Sequence, residues 1–284
     1  MKNKKILFLV AIMIASLWLY GCNNNTDKVN TESQIVENPT ETLTETSTEI
    51  STEIMEEKIA SIMDLKPGDV FEKGELDLSD LSHFFISSSI CEGDEIYLRI
   101  YGQSYQPNDD IALEELRYIK LLHYNYDGQI QVGEIIVNEK IEKDCLEIFQ
   151  ALFEAEYQIN RMVLIDDYWT GDGVETDAVS IKKNNTSCFN YRYVPGSTKR
   201  SNHALGLAID INPRENPYIP ISNGVADYSA LDEEEYYYAT NRLETDAHVI
   251  THEDLAYKLF KEHGFTWGGD WYSLKDYQHF EKEW

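Results

Sequence analysis

The chain has 284 residues, 42% of them hydrophobic, and a formal net charge of -27 at pH 7. That apolar share is enough for a packed core, and the length fits one large domain or two small ones. The acidity argues against a nucleic-acid partner, because phosphates need a basic surface, and it suits a solvated, exported protein.

The N-terminus, MKNKKILFLVAIMIASLWLYGC, opens on Lys2, Lys4 and Lys5 and continues with an apolar run over residues 6–20. A basic start, a short apolar stretch and a small residue at the cut describe a signal peptide. The run falls short of the about 20 residues that a membrane span needs. Leu19-Tyr20-Gly21-Cys22 resembles a bacterial lipoprotein lipobox, with Tyr20 bulky for its position. That resemblance implies removal of residues 1–21 and lipidation of Cys22. An uncleaved anchor helix is the alternative, and both place the rest of the chain outside the cytoplasm. Residues 22–57 read as a disordered linker. Their Thr/Glu/Ser tract, TETLTETSTEISTEI, has no aromatics and cannot bury enough apolar surface to offset its chain entropy. As a flexible coil the tether spans on the order of 30–35 Å and holds a domain away from the membrane.

Residues 58–284 are expected to form one domain. Residues 51–65 suggest a short helix where order begins. EIYLRIYG (95–102) alternates apolar and polar residues and predicts a strand. Residues 116–137 predict strand, turn at Asp127-Gly128, strand. Over 139–157, Ile141, Cys145, Ile148, Leu152 and Phe153 recur at helical spacing. Residues 159–169 predict a strand and 170–188 a loop. Residues 252–265 predict a second helix stopped by Gly264. Without a regular βαβ rhythm the fold class is α+β, a small antiparallel sheet with flanking helices. There is no Gly-rich phosphate loop, and Lys182-Lys183 is too small a basic cluster for a nucleic-acid surface. Cys91, Cys145 and Cys188 form no C-x-x-C pair and allow at most one disulfide; buried, reduced thiols are expected.

The chemistry centres on SNHALGLAID, residues 201–210. As a strand, 207–211 turns Leu207, Ile209 and Ile211 to one face and Ala208 and Asp210 to the other, with Gly206 in line. Glycine and alanine clear that face for close approach, and His203 can fold back over it. His203 and Asp210 can then be two zinc ligands; a catalytic zinc needs a third, with the fourth position open. TWGGDWYSLKDYQHFEKEW (266–284) supplies His279. Asp276, three residues earlier, is placed to take a proton from water and pass it to a leaving amine. Glu281 is the residue to compare with it as base. The Trp267–Gly268–Gly269–Asp270–Trp271 loop can wall a cleft, with Trp271 on the substrate side. Arg192 can hold a substrate carboxylate, stabilise an oxyanion or form a structural ion pair. Ser201 can bond substrate, orient His203 or simply shape a turn. His248, His252 and His263 read as surface or capping residues, and His83 and His123 as structural residues in strands. His252 and Glu253 are the first stand-ins for a ligand and a base. Residues 214–250, with the acidic DEEEYYY, read as a long loop beside the cleft.

Ser201-x-His203-x-x-Gly206-x-Ala208-x-Asp210 followed by Asp276-x-x-His279 resembles the VanY-type zinc D-alanyl-D-alanine carboxypeptidases and the related L-alanyl-D-glutamate endopeptidases. The words NNTSCFNYR, AIDINP and WGGDW fit as well, and the resemblance runs over roughly residues 80–284, with its core motif region at 184–284. It implies a Hedgehog/D-Ala-D-Ala-peptidase-like α+β fold, a zinc ion on His203, Asp210 and His279, Asp276 as general base, and peptidoglycan stem peptides as substrate. The better-known carboxypeptidases carry Glu in a Glu-x-x-His word. Asp276 follows the endopeptidase-like members, so carboxypeptidase and endopeptidase both stay open. The expectation is a monomeric bacterial enzyme at the extracellular face of the membrane, anchored through lipid on Cys22 and without a nucleic-acid partner. A non-catalytic cell-wall-binding lipoprotein and a zinc peptidase for another exported peptide are the alternatives.

Overall fold

Strands β3 (Leu116–Tyr124) and β4 (Ile130–Asn138) form the longest ladder, pairing from Leu116 opposite Asn138 to Tyr124 opposite Ile130. A computed structural model of the chain describes residues 59–283, so the signal peptide and linker expected over 1–57 lie outside the described residues. Ahead of that hairpin come β1 (Val70–Phe71), β2 (Ile86–Ser89) and helix α1 (Glu95–Ile100). After it come α2 (Glu142–Glu154), α3 (Gly173–Lys182), β5 (Ala208–Asp210), β6 (Tyr218–Ser222), β7 (Val225–Ala226) and α4 (Glu233–Thr240). Helix α5 (Leu255–Glu262) and strands β8 (Thr266–Trp267), β9 (Leu274–Asp276) and β10 (His279–Glu281) complete the described chain. Three antiparallel sheets result, ordered β1-β4-β3-β2, β5-β10-β8 and β7-β6-β9. A mixed α/β domain with small antiparallel sheets and few helices agrees with the α+β expectation.

The hairpin turns where expected. The Asn125 side chain accepts from the Asp127 and Gln129 amides, both at 3.0 Å, and Gly128 adopts φ +75°. Seven consecutive residues at the end of β4 are buried, because both faces are covered. Ile135 and Val137 join the main core beneath α2, while Ile136 turns to a second cluster with Leu116, Leu164 and Phe189. Helix α2 buries Cys145, Ile148, Phe149, Leu152 and Phe153, a single stripe at 3.6-residue period. Helix α5 is capped by the Asp254 carboxylate and ends before Gly264 at φ +84°, as expected. Phe260 of α5 meets Phe149 edge-on at 6.3 Å and stacks on Phe280 of β10 at 4.3 Å. The helix pair thereby anchors the strand that carries the candidate site. Cys145 and Cys188 are buried, and no disulfide links cysteines among the described residues.

Six expectations need correcting. EIYLRI folds as helix α1, started by Asp94 accepting from the Tyr97 amide at 2.7 Å. A strand there would bury Ile96, Leu98 and Ile100 together, yet Leu98 is 67% exposed; Ile96 and Ile100 share a helical face instead. Residues 159–169 form no ladder. Side chains of Asn212 and Asn185 accept from the Asn160 and Val163 amides, and the segment closes in a 3-10 turn over Ile165–Tyr168. The segment 170–188 holds helix α3, nucleated by Asp172 accepting from Val174 and Glu175. Residues 214–250 contain β6, β7 and α4. The acidic word begins α4, where Asp232 and Glu235 cap one another and carboxylates pair with Arg214 and Lys182. Of residues 51–65, those described are not helical. His83 sits in a 3-10 turn rather than a strand, whereas His123 lies buried in β3.

Candidate metal centre and its cleft

The β5–β10 ladder assembles the site. It sets His279 opposite Asp210, Phe280 opposite Ile209 and Glu281 opposite Ala208. Alternation sends Ile209 and Phe280 into the core and leaves Asp210, His279 and Glu281 on the other face. His203 reaches the same point from a 3-10 turn over Asn202–Leu205, whose N-cap is Ser201. The Ser201 hydroxyl accepts from the His203 amide at 3.3 Å.

Gly206 serves a different purpose from the one its spacing suggested. It ends the turn at φ +65°, and a Cβ there would lie 2.7 Å from the backbone nitrogen of Asn138. The glycine makes room for the end of β4, not for a ligand over a cleared strand face.

His203, Asp210 and His279 are all buried, and their donor atoms lie within 4.8 Å of one another. His203 Nε2 stands 3.2 Å from Asp210 Oδ2 and 3.2 Å from His279 Nδ1, which stands 3.0 Å from Asp210 Oδ1. Donors on a tetrahedral zinc are roughly 3.3 Å apart, so the spacing suits such an ion. The remaining ring nitrogens are held from behind. His203 Nδ1 donates to the Cys188 carbonyl at 2.6 Å. His279 Nε2 donates to Glu281 at 3.1 Å, and Asn202 Nδ2 donates to the same oxygen at 2.6 Å. These bonds aim His203 Nε2 and His279 Nδ1 at the centre of the trio. Burial opposes charging of His279, but the carboxylates of Asp210 and Glu281 outweigh it and raise the imidazole to about 10. Burial pushes the Asp210 carboxyl up, and the two histidines overcome this and hold it far below its ordinary value. A bound cation would take the place of the proton that this raised value leaves on His279. Two imidazoles and a carboxylate with oriented outer bonds fit a divalent metal such as zinc.

The trio lies in a cleft of about 520 Å³ that also contains Asp276, Arg192, Ser201 and Trp271. Strand β9 brings Asp276 to it, opposite Tyr218 of β6. Gly268 lets the backbone pass, since a Cβ there would lie 2.5 Å from the Asp276 carbonyl oxygen. Asp276 is partly exposed as a residue, yet its Oδ1 is sealed from solvent and has no hydrogen-bond partner. Burial is the main cause that pushes its carboxyl up to about 7, with Asp210 and Asp177 adding to it against the histidines. A carboxyl near neutrality can accept and return a proton. Arg192 is in an ion pair with Asp177 of α3 at 2.7 Å, so the structural pairing is real, but its buried Nε has no partner. The Trp271 ring stands 5.2 Å from that of His279. His252 is solvent-exposed and bonded to Asp270 at 2.8 Å, and Glu253 pairs with Lys258; neither joins the trio. His248 stacks on Tyr126 at 3.6 Å and His263 bonds Asp144.

Glu281, Asn202, Asp177 and the Cys188 carbonyl were not assigned these contacts from sequence. The signal for Glu281 was available, since a strand places residue i+2 beside its histidine. Asp177 was hidden with the helix that carries it.

Residues 195–282 match the family model described as D-alanyl-D-alanine carboxypeptidase. The match takes in His203, Asp210, Asp276, His279 and Glu281, leaves Arg192 outside, and is shorter than the span over which the motifs resemble that family. No curated protein and no solved structure shows a significant match.

Proposed function

We propose that the chain is a zinc peptidase that hydrolyses stem peptides of peptidoglycan. The observation that carries this is the convergence of His203, Asp210 and His279 in one cleft with Asp276, all inside the matched segment. Zinc, when bound, supplies Lewis acidity to the scissile carbonyl and lowers the pKa of water. Asp276 accepts the proton of the attacking water at its carboxylate and returns it to the leaving amine. The unused donors of Arg192 hold a substrate carboxylate or the developing oxyanion. Ser201 fixes the turn that presents His203, and Trp271 walls the cleft beside His279. In this reading the domain has the Hedgehog/D-Ala-D-Ala-peptidase-like fold and is a monomer. It works at the outer face of a bacterial membrane, tethered by a disordered linker to lipid on Cys22; the basis is the lipobox-like N-terminus.

Both carboxypeptidase and endopeptidase chemistry fit, and Asp276 in place of the Glu of Glu-x-x-His favours the second. Mass spectrometry of peptidoglycan fragments incubated with the protein is the test. Release of D-alanine or cleavage inside the stem, abolished by chelation and restored by zinc, is expected. Binding of fragments with no cleavage at any zinc concentration would leave a cell-wall-binding protein instead.

A further inference from the structure

Three residues of the cleft carry a buried polar atom without a hydrogen-bond partner: Nε of Arg192, Oδ1 of Asp276 and Oε1 of Gln278. The first two have roles above. Gln278 has none, although it is only 3% exposed.

Its neighbours show which way it turns. Tyr277 points away from the cleft, with the Arg242 guanidinium 3.7 Å over its ring and Trp267 beside it. Asp276 and His279, on either side, both line the cleft with Gln278. The backbone is committed as well. The Gln278 carbonyl accepts from the Ile211 amide at 3.0 Å, and the Tyr277 carbonyl accepts from Trp267 Nε1 at 2.8 Å. These two bonds hold the backbone of the turn between β9 and β10 in place. Buried acceptors are almost always satisfied, and one on a residue that lines a cleft can be satisfied by a group that enters it.

We propose that Gln278 is a specificity-determining residue that binds a backbone amide of the peptide substrate, its Oε1 accepting the substrate N–H. A carboxamide presents an acceptor and donors together, the pattern that pairs with a peptide unit. Its place between Asp276 and His279 sets that amide at or next to the scissile bond. The inference rests on the peptidase reading and adds the substrate group that the cleft recognises.

The test is a cycle of protein and substrate changes on the full chain. The substrate is a synthetic stem peptide that the unaltered protein cleaves, with analogues in which one amide N–H at a time is replaced by an ester oxygen. Gln278→Met is expected to lower kcat/KM on the peptide by about ten- to a hundredfold, with zinc content unchanged. At one position the loss from the ester and the loss from Gln278→Met should fail to add. Gln278→Glu keeps an acceptor and should keep that coupling, which also serves if the methionine variant folds poorly. Losses that add at every position, or no loss, would overturn the inference while leaving the peptidase reading intact. Failure of the unaltered protein to cleave any peptide would overturn both.

Discussion

Two shielded carboxylates, one in each half of the molecule, are held in opposite ways. Glu134, in β4, is fully buried, and the protein supplies its partners. Arg99 donates to it at 2.8 and 2.6 Å, Tyr118 at 2.7 Å and the Leu164 amide at 3.4 Å. Asp276, at the end of β9, has a sealed oxygen with no partner, and its carboxyl is pushed up to about 7. A buried charge is tolerable when paired and costly when not. Glu134 therefore belongs to the fold, and Asp276 is poised for a proton that comes from outside it.

The largest effect should come from Asp276. Asp276→Asn is expected to lower kcat/KM by about 10²- to 10⁴-fold while zinc stays bound and the melting temperature does not fall. Zinc lost along with activity would instead make Asp276 a ligand or a scaffold residue. Glu134→Ala should do the reverse. Removing one partner of a buried pair costs about 3–5 kcal/mol, so denaturant unfolding should show a large loss while turnover per folded molecule is kept. Glu281→Ala sits between these poles. Chelator competition should show zinc affinity down by about 10- to 100-fold, and saturating zinc should restore most turnover, unlike in Asp276→Asn.

The smallest effect is a pH dependence. In chelated protein, native Asp276 keeps a proton up to about 7, whereas an ordinary Asp loses it near 3.8. Its contribution is therefore fully present below 3.8 and is lost as pH rises through about 7. Relative to Asp276→Asn, the metal-free protein should lose stability across that window, measured by urea unfolding. Loss on acidification instead would mean that the carboxyl is satisfied in the native state.

The same contrast explains what could be read before the fold was known. The β3–β4 hairpin, α2 and α5 were legible because each has a clear apolar period, and the hairpin and α5 add a glycine, Gly128 and Gly264, at the turn or stop. Helices α1 and α3 were not. Helix α1 is short and α3 buries Thr176 and Ser180 rather than an apolar stripe, and their starts depend on single aspartates, Asp94 and Asp172, whose capping bonds outweigh a weak local pattern. At the site, residue identity and spacing pointed to His203, Asp210, Asp276 and His279. What spacing could not convey was the β5–β10 register, and with it Glu281 behind His279, or the reason for Gly206. That glycine answers to the backbone of Asn138, far away in sequence, and no local pattern records such an approach.

The most direct test measures zinc content and turnover together, in the unaltered protein and in His203→Ala. About one zinc per chain is expected, with both metal and turnover lost in the variant. A His203→Ala protein that keeps full zinc and full turnover would contradict a metal centre at His203, Asp210 and His279.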